Sequence, residues 1–157
     1  KIQKLMHIEF KWKTFDELTT DELYKIIHLR QKVFIVEQNC PYIDADYADQ
    51  QANHLLVLEG KNLIGYLRAF EPGYKYSESS IGRIIIDLDY RKKGLGERIT
   101  RAGISYLLEK FPNNNITISA QYRLLSFYNK LGFLERGSVY LEDDIDHIEM
   151  CLECFKK

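Results

Sequence analysis

Hydrophobic and polar residues alternate in several short segments of the chain, which is the pattern of half-buried β-strands. These segments are IEFKWK near the N-terminus, two runs on either side of Gly60-Lys61-Asn62 in HLLVLEGKNLIGYLRAF, and LERGSVYL and DHIEMCLECF at the end. The β-branched run IGRIIID predicts a central strand, and NITISA predicts another. The pattern therefore predicts a sheet of six to seven strands.

Apolar residues recur at helical spacing in three other segments. The first, TTDELYKIIHLRQKVFIVEQ, begins with capping-box spacing between Thr19 and Glu22. The second follows Gly96 and ends before Pro112, because the residue before a proline disfavours helical geometry. The third, RLLSFYNKLGF, is a short helix that Gly132 closes.

The predicted elements follow one another in the order β-α-β-β-β-α-β-α-β-β. A strand, a turn and a helix over residues 81–110 lead into another strand, which implies a right-handed parallel crossover. We therefore expect an α+β (mixed α/β) fold, in which helices flank a largely antiparallel mixed sheet with a central parallel β-α-β unit. The length of 157 residues and the hydrophobic content of 45% fit a single domain over residues 1–157.

Charge and cysteine content exclude several classes of protein. The formal net charge of −1 argues against nucleic-acid binding, which leaves a basic footprint. No apolar run approaches the roughly 18 residues of a membrane span, and KIQKLMHIEF lacks the apolar core of a signal peptide. The three cysteines have irregular spacing, and Cys151 and Cys154 predict free thiols rather than a disulfide. We expect a reduced, cytoplasmic protein without a nucleic-acid or membrane partner.

Two acidic segments lie in predicted turns and loops. The loop NCPYIDADYADQQAN carries Asp44, Asp46 and Asp49, which we expect to be solvated. Their spacing lacks the glycine and the terminal glutamate of a Ca²⁺ loop, and no metal is predicted. The turn EDDID separates the last two strands, and both segments have the charge to attract a cationic substrate.

The turn RKKGLG, residues 91–96, lies between a predicted strand and a predicted helix. A helix N-terminus presents free N–H groups and partial positive charge, and glycine lets an anion approach the backbone. The segment is neither a Walker A motif nor GxGxxG. Spacing alone leaves two interpretations open, a phosphate site and a charged turn with a glycine N-cap.

Two motifs together resemble one enzyme family. Arg91-x-x-Gly94-x-Gly96 after IGRIIID resembles the [Q/R]-x-x-G-x-[G/A] signature of the GCN5-related N-acetyltransferases (GNAT), and SFYNKLGF resembles their FYxxxGF segment. One helix and one strand separate the motifs, as in that family. The stretch LRQKVFIVEQNCPYIDADYAD is similar to the ElaA-type members.

The resemblance implies that the protein binds acetyl-CoA and acetylates an amine. It places the pyrophosphate on the backbone of the glycine turn, the pantetheine arm along the strand before it, and an oxyanion-stabilising N–H near Ile84. Gln121 stands where many members have Asn, and Leu125 where many have a small residue. The cofactor-binding residues implied in this way are Ile84, Ile85, Ile86, Arg91, Lys92, Lys93, Gly94, Leu95, Gly96 and Gln121.

The resemblance also implies that Tyr128 acts as a general acid on the leaving thiolate. The alternative is a tyrosine packed in the core, although Phe127 is the better core candidate of the two. No acidic residue occupies positions 79–81, where some relatives carry the general base. The candidate bases are Glu37, His54 and His147, with Asp87 and Glu142 as further candidates.

Three functions remain open from the sequence. The first is direct transfer of an acetyl group from acetyl-CoA to a primary amine on a small molecule or a peptide. The second is a non-catalytic acyl-CoA-binding or regulatory domain, and the third is an unrelated nucleotide-binding protein. The sequence does not identify the acceptor, and it allows a monomer or a homodimer.

Overall fold

The computed structural model describes residues 7–154, which form a seven-stranded mixed sheet with helices on both faces. The strands are β1 (Ile8–Thr14), β2 (Asn53–Glu59), β3 (Asn62–Phe70), β4 (Ser79–Ile86), β5 (Ile116–Gln121), β6 (Leu134–Glu142) and β7 (Ile145–Leu152). Their order across the sheet is β1-β2-β3-β4-β5-β7-β6. The pair β4 and β5 runs parallel, and every other pair of neighbours runs antiparallel. The predicted sheet with its central parallel β-α-β unit is confirmed.

In the described part of the chain, three α-helices and one π-helix accompany the sheet. They are α1 (Thr20–Arg30), the π-helix (Gln31–Glu37), α2 (Leu95–Lys110) and α3 (Leu125–Lys130). The Thr19 hydroxyl accepts a hydrogen bond from the Glu22 N–H at 3.1 Å, and the Glu22 carboxylate accepts one from the Thr19 N–H at 2.9 Å. The predicted capping box is therefore confirmed. The apolar pattern did not predict that the second half of this helix widens into π geometry.

The two faces of the sheet bury separate apolar clusters. Helix α2 covers one face, where Ile99 and Leu107 are fully buried. Helix α2 lies so close to β3 that a Cβ on Gly103 would come within 2.7 Å of a methyl group of Leu67. Helix α1 covers the other face, where Ile26 and Leu29 pack against residues of β2, β3 and β4. The central strands are therefore buried on both faces, as the β-branched run in β4 predicted.

The turn between β6 and β7 and the end of α3 have the backbone conformations that their sequences predict. The β6–β7 turn consists of Asp143 and Asp144, which both have positive φ, as a two-residue type I′ hairpin requires. Gly132 follows α3 with φ of +96°, the left-handed conformation that commonly ends a helix. Cys40 and Cys151 are buried free thiols, and Cys154 is a half-buried one. The prediction of free thiols is confirmed.

The expectation of a solvated acidic loop between α1 and β2 is wrong. Asp44 and Asp49 are buried, with exposed fractions of 7% and 8%. Arg30 donates to both carboxylates, and Arg68 donates to Asp46 and Asp49. Because Arg30 and Arg68 are each only 1% exposed, their charges need buried carboxylates as partners. The loop is therefore held against the protein by ion pairs.

No helix within residues 7–154 is long and apolar enough to cross a membrane.

Candidate active site

The parallel strands β4 and β5 separate in the middle of the sheet. They pair only at Ser79 with Ile116 and at Ser80 with Thr117. Beyond Ser80, within residues 7–154, the edge of β4 that faces β5 has no strand partner. The opening leaves backbone N–H and C=O groups of β4 available to a ligand.

A bulge in β4 lies at the start of this free edge. The pairing of β4 with β3 is irregular between Tyr66 and Arg68, and Arg83 has φ of +51°. A residue other than glycine in this conformation costs of order 1–3 kcal/mol and persists only where its surroundings hold it. Here Arg83 Nε donates to Asp44 Oδ1 at 2.7 Å. Gly82, the residue before Arg83, is the sequence signal for a bulge here, because a glycine inside a strand often marks one, and sequence reasoning did not use it.

A cavity of about 370 Å³ occupies the opening between the strands. It extends from the start of α2 to the β6–β7 turn, and residues of β4, the π-helix and α3 line its walls. The cavity also reaches Arg68, Phe70, Lys75 and Tyr76, which sequence reasoning did not connect with the site. It brings together the candidate residues Glu37, Ile84, Ile85, Ile86, Arg91, Gly96, Gln121, Tyr128, Glu142 and His147.

The glycine turn bends sharply and exposes the N-terminus of α2. Lys92 and Gly94 have φ of +64° and +70°, both left-handed. The Arg98 N–H donates to the Gly94 carbonyl at 3.2 Å. The N–H groups of the first turn of α2 precede this bond and have no acceptor within the helix. These groups are suited to bind an anion.

The charged side chains of the glycine turn, residues 91–96, make different contacts. Arg91 Nε donates to the Ile86 carbonyl at 3.0 Å, which joins the turn to the end of β4. The Arg91 guanidinium also contacts both carboxylate oxygens of Glu37, at 2.5 and 2.8 Å. Lys93 Nζ lies 5.7 Å from the centroid of the Tyr90 ring. Of residues 91–96, Arg91 and Gly96 line the cavity.

Tyr128 lines the cavity and is only 8% exposed. Its ring packs edge-on against Phe127 and Phe133. Burial raises the pKa of Tyr128 to about 12, and the hydroxyl therefore stays protonated at neutral pH. Phe127 is less buried than Tyr128 and also lines the cavity, so the expectation that Phe127 is the better core residue is wrong.

His147 presents one free ring nitrogen at the acidic end of the cavity. Its Nδ1 lies 2.7 Å from the Ile145 carbonyl. A carbonyl can only accept, so Nδ1 carries the proton in the neutral ring and Nε2 keeps its lone pair. Glu142 lies nearby in the lining and accepts a hydrogen bond from the Ser119 hydroxyl at 2.7 Å.

Two candidate bases lie outside the cavity lining. His54 is fully buried, with Nδ1 2.6 Å from the Tyr66 hydroxyl and Nε2 2.9 Å from the Asp49 carbonyl. Burial lowers the pKa of His54, which favours the neutral ring. Asp87 accepts a hydrogen bond from Lys32 at 2.9 Å at the end of β4. Both side chains have structural partners.

Gln121 ends β5 at the wall of the cavity. Its amide nitrogen donates to Gln38 Oε1 at 3.2 Å, and its oxygen accepts from Arg123 Nε at 2.8 Å. The side chain therefore links β5 to the end of the π-helix. Among residues 7–154, no group of three or more His, Cys, Asp or Glu is arranged to hold a metal ion.

This combination of a split parallel strand pair and an open helix N-terminus defines a class of protein. The model of the acetyltransferase (GNAT) domain matches residues 17–154, and the chain belongs to that family. The resemblance of the two sequence motifs to GNAT enzymes is confirmed. Acyl transfer from an acyl-CoA is the general reaction that this family and fold support.

Individual relatives are similar over almost their full length. Protein ElaA of Escherichia coli is 33% identical over 148 residues, which are 93% of this chain and 97% of ElaA. A protein of Synechocystis sp. is 37% identical over 146 residues, 92% of this chain and 95% of its own. These relatives confirm the likeness to the ElaA type.

Two solved structures share both fold and sequence. The crystal structure of Escherichia coli ElaA matches with a TM-score of 0.87 and 32% identity, covering 94% of this chain and 100% of that one. The crystal structure of an acyl-CoA N-acyltransferase from Pseudomonas aeruginosa matches with a TM-score of 0.88 and 33% identity, covering 92% of this chain and 99% of that one.

Proposed function

We propose that the protein is an acetyl-CoA-dependent N-acetyltransferase that moves an acetyl group directly to a primary amine. The observation that carries the proposal is the continuous cavity in the opening between β4 and β5. It connects an anion-binding helix N-terminus at Gly96 with a neutral phenol at Tyr128 and a free imidazole nitrogen at His147. These groups suit, in turn, the phosphates of CoA, the sulfur of its thioester and the amine that attacks the thioester.

The free edge of β4 and the glycine turn suit a CoA thioester. The N–H groups of the first turn of α2 suit the pyrophosphate, and Arg91, whose guanidinium pairs with Glu37, fixes this turn to the end of β4. A Cβ on Gly96 would lie 3.3 Å from a methyl group of Ile86, so glycine leaves room where the backbone must approach a phosphate. The backbone of Ile84 and Ile86 supplies hydrogen bonds to an extended pantetheine arm, with the Ile84 N–H directed to the thioester oxygen.

The amine must lose a proton before it reacts. A primary amine with a pKa of about 10.4 is less than about 0.1% neutral at pH 7. His147 Nε2 has the free lone pair that accepts this proton, and the imidazole then releases it to water. Glu142 holds the ammonium group near His147 by charge.

The transfer exchanges one bond for another. The amine nitrogen attacks the thioester carbonyl carbon, the C–N bond forms and the C–S bond breaks. The nitrogen then loses its second proton to the departing thiolate, directly or through water, and CoA is released as the thiol. A buried phenol with a pKa of about 12 is a weaker acid than a thiol of about 8.5. Tyr128 therefore serves best as a hydrogen-bond donor to the departing sulfur.

The proposal is tested by CoA release over a panel of amines, with mass spectrometry of the products. We expect acetyl-CoA to raise the melting temperature of the purified protein, and at least one primary amine to gain 42 mass units, about the mass of an added acetyl group. Stabilisation by ATP without stabilisation by acetyl-CoA would contradict the donor site. Stabilisation by acetyl-CoA without any product would favour the non-catalytic acyl-CoA-binding domain.

Substitution of Tyr128 by Phe tests the role of the phenol within the same assay. The change removes one hydroxyl and keeps the ring that packs on Phe133. We expect kcat to fall by about a hundredfold, the usual cost of losing one hydrogen-bond donor to a developing negative charge, with little change in KM for acetyl-CoA. An unchanged kcat would refute the role of Tyr128 and leave the donor site intact.

A further inference from the structure

Among the described residues, a cationic side chain of the cavity has no ion-pair partner. Lys75 lines the cavity, and its Nζ lies 5.8 Å from the centroid of the Phe70 ring, a side chain that is only 1% exposed. The ammonium group is therefore held against the protein at the edge of the cavity. In the part of the chain that the structure describes, no carboxylate lies within 4.0 Å of this ammonium group.

The neighbouring cations differ from Lys75 because their charges are already balanced. Arg68 lies over the same Phe70 ring at 4.9 Å and pairs with Asp46 and Asp49. Arg83 pairs with Asp44 at 2.7 Å. Partial burial lowers the pKa of Lys75, and so do the charges of Arg68 and Arg83. The carboxylates of Asp46 and Glu142, which lie beyond ion-pair distance, act in the opposite direction but do not outweigh them.

The β6–β7 turn supplies opposite charge to the same cavity. Glu142 and Asp143 line the cavity there with His147. Neither carboxylate forms an ion pair with a cation in residues 7–154. Within residues 7–154, the cavity thus has an ammonium group without an ion pair on one wall, and carboxylates without an ion pair beside the free imidazole nitrogen on another.

We propose that the acceptor is an amino-acid-like molecule whose carboxylate binds Lys75 while its amine faces His147 and Glu142. An ammonium group and a carboxylate on one small molecule match the two charged walls of the cavity by sign. Tyr76, the residue after Lys75, also lines the cavity and offers apolar surface to the rest of such a molecule. This inference rests on the proposed function, because it identifies the substrate class of the same site.

The test compares each α-amino acid that carries a primary amine with its own amide. The amide keeps the amine and the side chain and loses the negative charge. We expect kcat/KM for the preferred amino acid to exceed that of its amide by about ten- to a hundredfold, the range for a hydrogen bond between charged groups. The difference should lie in KM, because Lys75 binds the ground state and the transition state alike.

Three variants of the full chain assign this preference to one side chain. Lys75→Met should abolish it, and Lys75→Arg should restore most of it. Lys110→Met is the matched control, because Lys110 also lies over an aromatic ring, 4.6 Å from the Tyr106 centroid, but outside the cavity lining. Equal use of amino acid and amide, or a preference that survives Lys75→Met, would overturn the inference.

Calorimetric binding separates this inference from the proposed function. Each amino acid and its amide is titrated into the wild-type protein and the Lys75→Met variant in the presence of CoA. One outcome is that amino acids bind the wild type, do not bind the Lys75→Met variant, and release no CoA in the activity assay. This outcome would support the carboxylate site and contradict the proposed acetyl transfer. If no amino acid binds the wild type, the inference is wrong even where simple amines are acetylated.

Discussion

Substitution of Asp49 by Ala should strongly destabilise the protein, because it leaves two buried cations short of a partner. Asp49 Oδ1 accepts from Arg30 at 2.7 Å and from Arg68 at 2.8 Å. Both arginine side chains are 1% exposed, so water cannot replace the lost carboxylate. Breaking a buried ion pair from one side costs about 3–5 kcal/mol, whereas the whole free energy of unfolding of a domain is about 5–15 kcal/mol.

Urea denaturation measures this loss directly. Asp49→Ala should lower the free energy of unfolding by about 3–5 kcal/mol, and Asp49→Asn, which keeps one oxygen acceptor, by less. The matched control is Asp21→Ala, because Asp21 pairs with Lys25 on the exposed surface of α1 and should contribute less than about 1 kcal/mol. A loss in Asp49→Ala no larger than in this control would refute the role of the buried network.

The pH dependence gives an independent check on the same carboxylate. Burial alone raises the pKa of Asp49, but Arg30 and Arg68 outweigh it and hold the pKa below its ordinary value. A carboxylate with a lowered folded-state pKa stabilises the protein above its unfolded-state pKa of about 3.9, and this contribution is lost as the pH falls toward the folded-state pKa. The difference in stability between wild type and Asp49→Ala should be constant from pH 6 to 8, in the range well above about 3.9, and shrink in more acidic solution.

Two further predictions concern the proposed active site. His147→Asn keeps a donor for the Ile145 carbonyl and removes the free ring nitrogen, so kcat should fall at least about tenfold while acetyl-CoA still raises the melting temperature. An unchanged kcat would exclude His147 as the base. Gly96→Val should raise KM for acetyl-CoA by more than about tenfold, because a Cβ alone lies 3.3 Å from Ile86 and the two further methyl groups crowd the proposed phosphate position. Gly96→Ala adds only the Cβ and should raise KM by less, and an unchanged KM in both variants would contradict the donor site.

Local sequence patterns predicted the features that depend on neighbouring residues. Alternation, β-branched runs and the capping box at Thr19 located the strands and the start of α1. The motif around Gly94 and the FYxxxGF segment around Tyr128 identified the family, and both segments reach the same cavity. These signals succeed because each arises within a few residues of the chain.

The features that sequence reasoning missed depend on distant residues. The partners of Asp49 are Arg30 and Arg68, each 19 residues away, and no local pattern distinguishes a buried aspartate from a solvated one. The positions of Arg83 and Lys75 at the cavity depend on the fold, which brings β4 and the loop before it to that place. The π-helix was missed because its apolar residues, such as Val33, fit α-helical spacing equally well.

Asp44 explains why an arginine, rather than a glycine, occupies the left-handed bulge of β4. Asp44 accepts from Arg30 Nε at 2.6 Å and from Arg83 Nε at 2.7 Å, so one buried carboxylate joins helix α1 to the bulge. Glycine at residue 83 would avoid the backbone strain of order 1–3 kcal/mol but would lack the side chain that reaches Asp44. The ion pair offsets that strain and fixes the edge of β4 that faces the cavity. The buried network therefore stabilises the fold and sets the geometry of the proposed thioester site at once.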